Sequence, residues 1–387
     1  MWIERLHTER LIEAVNTRPS VLLTGVRQVG KSSLLQRVFT DAEYVTLDKV
    51  IFAREANENP SNFLNRFKGR VIIDEVQYAP SLFRELKIKI DENRKMNGKW
   101  ILTGSQQFNL MKSASESLAG RIRIITMGSL SASELNPILP FDNKNEQLWK
   151  GGFPEIWSEK LHGSDYFESY VQTYLERDLK QLLNVSNLWD FRRFMSLLAI
   201  RTGHLLNYSE LAKDLGISPN TVKSWVNVLE ISGIILLVPP YYQNLGKRLI
   251  KSPKVYFCDN GLIASLLNID STDTFEKSTY RGNLWENFLL SEWIKYGLIP
   301  GKNIFYYRDQ NGVEIDFILE NKGKTYLVEA KYNENPNPQK LHFKKVAPLF
   351  TYPVQPVVAC RVEEKGLFQL SGYAVYNPLF GFDFSEL

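Results

Sequence analysis

The chain has few cysteines, few histidines and no long apolar run. Its 387 residues include two cysteines and four histidines. Two cysteines cannot build a disulfide framework or a metal cluster, and the histidines show no metal-ligand spacing. No apolar stretch approaches the roughly 18 residues that a membrane-spanning helix needs. These absences exclude a disulfide-stabilised scaffold and a membrane-embedded chain, and we expect no membrane partner.

What is present indicates several soluble domains in a reducing, cytoplasmic compartment. Residues 1–5 carry charges and no apolar signal region, and Cys258 and Cys360 suit a reducing environment. Hydrophobic residues make up 44% of the chain, enough for real cores, and the length predicts two or three domains. The formal net charge of +4 permits nucleic-acid binding but is equally common in ordinary enzymes.

The most informative segment follows the apolar residues 21–23. It reads Gly-Val-Arg-Gln-Val-Gly-Lys-Ser at 25–32 and precedes a stretch of helical character. Its two glycines let backbone N–H groups turn inward around an anion, at which the next helix points its positive dipole end. Lys31 is expected to reach the β- and γ-phosphates of ATP, and Ser32 a Mg²⁺. The predicted nucleotide-binding residues are Gly25, Val26, Arg27, Gln28, Val29, Gly30, Lys31, Ser32 and Ser33.

Residues 70–75 predict a buried parallel strand that ends in two acids, because its three consecutive apolar residues cannot all face one side of a half-exposed sheet. Asp74 is expected to hold the metal, through water or Ser32, and Glu75 to polarise the attacking water. The alternative is that the two acids only cap a helix. The presence of Lys31 in the chain makes this interpretation less favoured.

Another strand, over residues 99–105, ends in small hydroxyl residues. A side chain at the end of a neighbouring strand is expected to contact the γ-phosphate as a sensor. Ser105 is our first choice for that sensor and Thr103 the second.

Further motifs extend along most of the chain. They are Leu47-Asp48, Asp74-Glu75-Val76-Gln77 with Ala79-Pro80, Leu102-Thr103-Gly104-Ser105, Leu118-Ala119-Gly120-Arg121, Gly-Gly-Phe-Pro-Glu at 151–155 and Glu-Arg-Asp at 176–178. With the phosphate-binding loop they resemble the AAA+-type ATPases of bacteria and archaea that carry a C-terminal domain of uncharacterised function. One departure is Val26, where the family usually has proline, which alters loop stiffness more than chemistry.

That resemblance implies a role for Arg121. It looks like the arginine that senses or stabilises the γ-phosphate, and a neighbouring subunit of a homo-oligomer is one candidate user of it in trans. From the residues alone, Arg121 and Arg123 could equally form the solvated edge of a strand.

The segment from Gly151 to about Ile200 reads as helical, and we expect it to act as a lid or connector over the nucleotide. Its apolar side chains recur at spacings of three and four, which favours a core stripe over a ligand face. The stripe consists of Tyr166, Tyr170, Val171, Tyr174, Leu175 and Leu179.

Residues 208–229 predict a helix-turn-helix. Ser209 can cap the first helix, Gly216 supplies the turn, and Ser218-Pro219 starts the second helix. Short strands at 234–238 and 254–257 would complete a winged form. The residues suited to DNA contact are Asn220, Lys223, Ser224 and Asn227 on the second helix and Lys247, Arg248, Lys251 and Lys254 on the wing. Trp225 and Val226 offer apolar surface as well, so a protein partner stays open beside DNA.

Charged and apolar residues alternate at 312–318 and at 326–331. If Lys322-Gly323 forms a two-residue turn, Asp316 lies opposite Glu329 and Glu314 opposite Lys331. Asp316 and Glu329 can then hold a Mg²⁺, and Lys331 can orient the water that the metal activates. A surface ladder of ion pairs would give the same alternation.

The pattern Glu-x-Asp followed by Glu-x-Lys, with a helical glutamate before it, resembles the restriction-endonuclease-like nuclease core and in particular its junction-resolving members. The resemblance implies that Glu286 is the helical metal-side carboxylate beside Asp316 and Glu329, and that Lys331 is the catalytic lysine. The proline-aspartate step of such cores is missing here, so cleavage of nucleic acid is left open.

The sequence therefore predicts an α/β chain with a P-loop AAA+-like parallel sheet domain, a helical and winged-helix middle region and a C-terminal α/β restriction-endonuclease-like domain. The predicted boundaries are 1–135 for the ATPase domain, 136–195 for the helical lid or connector, 196–262 for the winged helix-turn-helix and 275–387 for the nuclease-like domain. The expected function is Mg²⁺-dependent ATP hydrolysis directed to DNA. The alternative is a nucleotide-operated switch whose C-terminal domains bind partners without cleaving nucleic acid.

Overall fold

The computed structural model describes residues 1–105, 117–175, 188–241, 251–363, 365–370 and 372–381. Its contacts divide the chain into two compact units. The N-terminal unit comprises residues 2–128 with 231–233, and the C-terminal unit comprises 129–230 and 234–387 with Met1. The motif at 176–178, Leu179, and the predicted wing residues Lys247 and Arg248 lie outside the described residues. The finer division into four domains stays a prediction.

The N-terminal unit is an α/β layer structure. Its strands are β1 Ser20–Thr24, β2 Glu43–Thr46, β3 Val71–Asp74, β4 Trp100–Thr103 and β5 Ile122–Thr126. Its described helices are α1 Thr8–Thr17, α2 Lys31–Val38, α3 Val50–Glu58, α4 Pro60–Asn65 and α5 Leu82–Glu92. The strands are parallel in the order β2-β3-β4-β1-β5. Strands β1, β3 and β4 are buried along their whole length, which confirms the predicted buried strand ending at Asp74.

The C-terminal unit begins with helices and ends in a mixed sheet. Its described helices are α6 Ala132–Leu135, α7 Gln147–Lys150, α8 Pro154–Ser158, α9 Gly163–Tyr170 with a π-helical turn at Val171–Leu175, α10 Leu188–Ile200, α11 Tyr208–Leu215, α12 Pro219–Ile231, α13 Asn260–Leu266, α14 Thr272–Lys277, α15 Arg281–Lys295 and α16 Phe343–Val346. Its strands are β6 Ile235–Val238, β7 Lys254–Phe257, β8 Ile304–Arg308, β9 Glu314–Asn321, β10 Lys324–Ala330, β11 Gln355–Ala359, β12 Phe368–Leu370 and β13 Tyr373–Tyr376.

Strands β8 to β13 form one sheet in the order β12-β13-β11-β10-β9-β8. The β9–β10 pair is the predicted hairpin. Lys322 and Gly323 both have positive φ, at 48° and 77°, as a tight type I′ connection requires. Tyr326 pairs with Leu319 and Val328 with Phe317, so the predicted register, with Asp316 opposite Glu329, is confirmed. The restriction-endonuclease-like assignment of this sheet stays a prediction.

Helices α11 and α12 are joined by a tight turn, and β6 pairs with β7 in antiparallel fashion. Gly216, with φ of 70°, ends α11, and the Ser218 hydroxyl accepts a hydrogen bond from the Thr221 amide before Pro219 starts α12. The predicted cap at Ser209 is wrong. Asn207 precedes the helix instead, and its side chain accepts hydrogen bonds from the amides of Ser209 and Glu210.

The apolar stripe of the helical segment lies in a core, as predicted for its described side chains. Tyr170 and Val171 are buried, and the rings of Phe153, Phe167 and Tyr170 pack edge to face. A lid role for this segment stays a prediction. Among the described residues, no helix combines the length and the hydropathy that crossing a bilayer requires.

Candidate functional site

The predicted phosphate-binding loop connects β1 to α2. Gly25 has φ of 140°, and a Cβ atom at this position would lie 2.1 Å from the Met127 carbonyl oxygen, so only glycine fits. Gly30, at φ of 88°, precedes the first residue of α2. Arg5 braces the loop, because its guanidinium donates hydrogen bonds to the carbonyls of Val29 at 2.6 Å and Gly128 at 2.8 Å. The loop is thus held open at the N-terminus of a helix, where an anion binds best.

Lys31 points back into this loop. Its Nζ donates hydrogen bonds to the carbonyls of Val26 at 2.8 Å and Gly25 at 3.2 Å. Burial lowers the pKa of Lys31 to about 8, which the carboxylates of Glu75 and Asp74 only partly oppose. An ammonium group that is desolvated and hydrogen-bonded to neutral carbonyls is strongly stabilised by a phosphate.

Asp74, at the carboxyl end of β3, lies beside α2. Its Oδ1 accepts a hydrogen bond from Ser32 Oγ at 2.8 Å, and its Oδ2 accepts one from the Tyr44 hydroxyl at 2.6 Å. Asp74 is buried. Two oxygen donors in contact beside a phosphate loop are the ligands that Mg²⁺ prefers, so these residues fit the predicted metal.

Glu75 follows Asp74 in the left-handed region, with φ of 56° and ψ of 45°. This conformation is costly for a side chain other than glycine and is concentrated at functional sites. Its carboxylate accepts a hydrogen bond from the Gln77 side-chain amide, which also donates to Ser105 Oγ at 3.3 Å. Gln77 therefore links the predicted catalytic base to the predicted sensor on the neighbouring strand.

The ends of β1 and β4 carry two further hydroxyls close to this site. In the part of the chain that the structure describes, Thr24 Oγ1 and Thr103 Oγ1 are buried without a hydrogen-bond partner. Buried polar groups are nearly always paired, so orphaned hydroxyls indicate a missing partner such as a ligand or water. Sequence reasoning ranked Thr103 second as sensor and passed over Thr24.

Arg121 lies at the end of the sheet where the strands begin, opposite to the end that carries the phosphate-binding loop. It precedes β5, whose first residue pairs with Ser20 at the start of β1, whereas the phosphate-binding loop follows the end of β1. Its guanidinium forms a bidentate ion pair with Asp91, at 2.7 and 2.9 Å. Arg121 therefore cannot act on the phosphate-binding loop of its own chain, and only the role in trans remains of that prediction.

The predicted nuclease-like residues do come together, Lys331 included, and Lys254 lies among them as well. Lys254 Nζ contacts Glu286 at 3.1 Å and Glu314 at 2.5 Å. Lys331 Nζ contacts Asp316 at 3.1 Å and Glu329 at 2.7 Å. We call these six residues the charged cluster. Lys254 is 1% exposed, so its predicted place on the basic edge of a wing is wrong.

The charged cluster shifts the pKa values of its members. Burial raises the pKa of Glu286 to about 7, with Asp316 adding to the shift and Lys254 opposing it. Burial also raises the pKa of Glu329 to about 7, helped by Asp316. Burial alone would lower the pKa of Lys254, but Glu286, Asp316 and Glu314 raise it above its ordinary value.

These residues do not fit a divalent metal. Across the described ranges, no group of three His, Cys, Asp or Glu residues could hold a metal ion. The physical reason is that each pair of carboxylates is bridged by an ammonium group, from Lys254 or from Lys331. The predicted metal set of Glu286, Asp316 and Glu329 stays a prediction.

The polar face of α12 is as predicted, but its apolar surface is not. Exposed polar side chains follow one side of the helix. They are Asn220, Lys223, Ser224 and Asn227. Trp225 and Val226 are buried, and the Trp225 ring packs on Phe191 and Phe194 at centroid distances of 5.4 and 5.3 Å. The prediction that Trp225 and Val226 offer a docking surface is wrong.

Three family models match the chain. Residues 17–136 match an AAA domain, 142–273 a domain of unknown function (DUF8612) and 281–365 a domain of unknown function (DUF4143). The uncharacterised protein Rv2008c of Mycobacterium tuberculosis is 32% identical over 344 residues, covering 87% of this chain and 76% of that protein. The uncharacterised protein Mb2031c of Mycobacterium bovis matches with the same figures. This chain belongs to the family of these two proteins. Its residues 17–136 form an AAA domain of the P-loop ATPase type.

Solved structures give a coarser resemblance. The Walker-type ATPase paby2304 of Pyrococcus abyssi is 18% identical with a TM-score of 0.42, over 69% of this chain and 96% of that one. The RuvB Holliday junction branch migration motor of Thermotoga maritima is 15% identical with a TM-score of 0.33, over 61% of this chain and 90% of that one.

Proposed function

We propose that the N-terminal unit hydrolyses ATP with Mg²⁺, and the observation that carries the proposal is the contact between Ser32 and Asp74 beside the buried Lys31. The lysine exchanges its carbonyl partners for the β- and γ-phosphates. Ser32 and Asp74 would hold Mg²⁺, which would neutralise developing charge on the phosphates. Tyr44 keeps the Asp74 carboxylate oriented through its hydrogen bond.

Glu75 is the base that orients the attacking water, and Ser105 the sensor that contacts the γ-phosphate. Gln77, bonded to both, keeps them at a fixed separation and holds the Glu75 carboxylate until substrate is bound. In a homo-oligomer, Arg121 would leave Asp91 and reach a neighbouring subunit's phosphate. In wild type, a specific ATPase activity that rises with protein concentration supports that role, provided that Arg121→Ala abolishes this rise.

Phosphate release with Mg²⁺ and ATP tests the proposal. Wild type is expected to turn over, Lys31→Ala to lose turnover and binding, and Glu75→Gln to bind nucleotide without turning it over. Lys87→Ala and Glu92→Gln, which alter exposed residues of the same unit, are the matched controls. Undiminished hydrolysis in Glu75→Gln, or calorimetry showing no nucleotide uptake by folded wild type, contradicts the proposal.

A second proposal concerns DNA. The exposed polar side of α12, together with the helix turn before it and the β6–β7 hairpin after it, supports a winged helix that recruits the ATPase to DNA. DNA is then expected to stimulate phosphate release, and Lys223→Ala to weaken that stimulation, while Lys277→Ala on another exposed helix does not. A rate indifferent to every DNA, with firmly retained ADP, favours the nucleotide-operated switch instead.

A further inference from the structure

The charged cluster joins four elements of the C-terminal unit. Lys254 comes from β7, Glu286 from α15, Glu314 and Asp316 from β9, and Glu329 closes β10 with Lys331 just after it. Lys254 Nζ lies within 3.1 Å of carboxylates from both α15 and β9. One ammonium group thus connects the β6–β7 hairpin with the helix and the sheet that follow.

Lys254 has no alternative place to go, whereas the Lys331 side chain is 31% exposed. Lys254 is almost fully buried, and a buried ammonium group that loses its carboxylates keeps the whole cost of desolvation. A Mg²⁺ held by these carboxylates would need their oxygens at about 2.0–2.1 Å, which the ammonium groups now occupy at hydrogen-bond distance. Metal uptake by Glu286 and Glu314 would therefore leave Lys254 buried and uncompensated.

Separate hydrogen bonds hold β7 in the same position. The Asn287 side chain of α15 both accepts from the Phe257 amide at 2.7 Å and donates to the Phe257 carbonyl at 3.1 Å. The segment after β6 pairs with β8, where the Tyr241 amide donates to the Tyr306 carbonyl at 2.8 Å. Because β7 is bonded to α15 through Asn287 and is paired with β6, Lys254 is held among the carboxylates.

We propose that Lys254 and Lys331 are the permanent cations of the charged cluster, so that it takes no divalent metal, cleaves no nucleic acid, and instead locks the β6–β7 hairpin to the C-terminal sheet. The hairpin and the sheet then respond as one body to whatever the neighbouring α12 binds. This inference does not depend on ATP hydrolysis at the N-terminal unit.

Uptake of Mn²⁺ by the full nucleotide-free chain tests the metal half, with electron paramagnetic resonance reporting free Mn²⁺. An Asp74→Asn background removes the carboxylate that Ser32 contacts beside the phosphate-binding loop. In that background, the isotherm is expected to be the same with and without Glu286→Gln. One Mn²⁺ per chain that Glu286→Gln removes overturns the proposal, as does plasmid nicking by wild type that Asp316→Asn abolishes.

Hydrogen exchange tests the locking half. Lys254→Met is expected to raise amide exchange at least tenfold in β7 and β9 together, while Lys277→Met leaves both unchanged. Should Lys254→Met not fold, Glu314→Gln takes its place, because it removes one bond to Lys254 from a more exposed position. Unchanged exchange in β7 of either variant overturns the proposal.

Discussion

Two buried lysines, one in each unit, differ in what holds them. Among the described residues, Lys31 donates its hydrogen bonds to two backbone carbonyls, and burial lowers its pKa to about 8. Lys254 is paired with two carboxylates, which together with Asp316 raise its pKa above the ordinary value despite its burial. The first lysine is kept unsatisfied for a ligand, whereas the second is already neutralised by the protein. Residue type and burial alone therefore do not distinguish a binding lysine from a structural one.

Removal of Lys254 is expected to have the largest effect on stability. Lys254→Met leaves Glu286 and Glu314 without their shared partner, and breaking a buried pair from one side costs about 3–5 kcal/mol. Urea unfolding of the C-terminal unit, followed by circular dichroism, measures the loss. Lys277→Met, which breaks an exposed pair with Asp273, should cost less than about 1 kcal/mol.

The same variant has a pH signature. In the native state Glu286 has a pKa raised to about 7, so it takes up a proton below that pH and no longer needs a cationic partner. The cost of Lys254→Met should therefore be smaller at about pH 6 than at about pH 8. The contrast between Lys31 and Lys254 would be contradicted if Lys254→Met lost no more stability than Lys277→Met. A loss of stability that grows as the pH falls would contradict it as well.

Lys31→Met should give the opposite result. Loss of a preorganised charge at the phosphates is expected to lower kcat by about 10²–10³-fold. The free energy of unfolding should not fall comparably. The pKa of Lys31 is lower in the folded state than in the unfolded state, so folding disfavours the charged form of this lysine. Phosphate release and urea unfolding on one preparation check both halves. Lys87→Met is the control, and a collapse in stability without loss of hydrolysis contradicts the expectation.

The lowered pKa of Lys31 predicts how ATP affinity changes with pH. Binding needs the charged ammonium, so ATP affinity should be flat below about pH 8 and fall by roughly tenfold per pH unit above it, until the higher pKa that Lys31 has in the ATP complex is reached. Calorimetry in two buffers of different ionisation enthalpy should show proton uptake on binding at about pH 8.5. If Lys31→Met still binds ATP with the same pH dependence, that pH dependence belongs to another group.

Tyr44→Phe is expected to have the smallest effect. It removes the hydrogen bond to Asp74 Oδ2 and leaves the ring, so kcat should fall by roughly fivefold, or ~1 kcal/mol. Steady-state kinetics over a range of Mg²⁺ concentrations measures it. Tyr78→Phe, which alters an exposed tyrosine in the same unit, should leave kcat unchanged. Equal effects of the two substitutions on kcat would contradict a role for Tyr44 at the site.

Local pattern was enough to predict that Ser32 lies beside Asp74 and to predict the β9–β10 register. Two glycines, a lysine and a serine at fixed spacing predicted a phosphate-binding loop, and Ser32 of that loop contacts Asp74. The alternation of charges around Lys322-Gly323 predicted the hairpin pairs, because strand periodicity and turn length depend only on neighbours in sequence.

Contacts between distant segments could not be read in the same way. Lys254 reaches Glu286 and Glu314 across 32 and 60 residues, and a lysine before an apolar strand has the same local signature whether it is exposed or buried. Arg5 at the phosphate-binding loop and Tyr44 at Asp74 gave no sequence signal. Gln77 was part of the motif after Glu75 but had no assigned role, which only its bonds to Glu75 and Ser105 supply.

The tight connection at Lys322-Gly323 also limits how this part of the gene can vary in length. Side chains alternate between the two faces of a strand, so inserting or deleting one codon at the turn and shifting β10 by one residue would turn Glu329 toward the apolar face. At position 322, homologues should therefore accept any residue type that tolerates positive φ. They should gain or lose residues at this turn only in pairs.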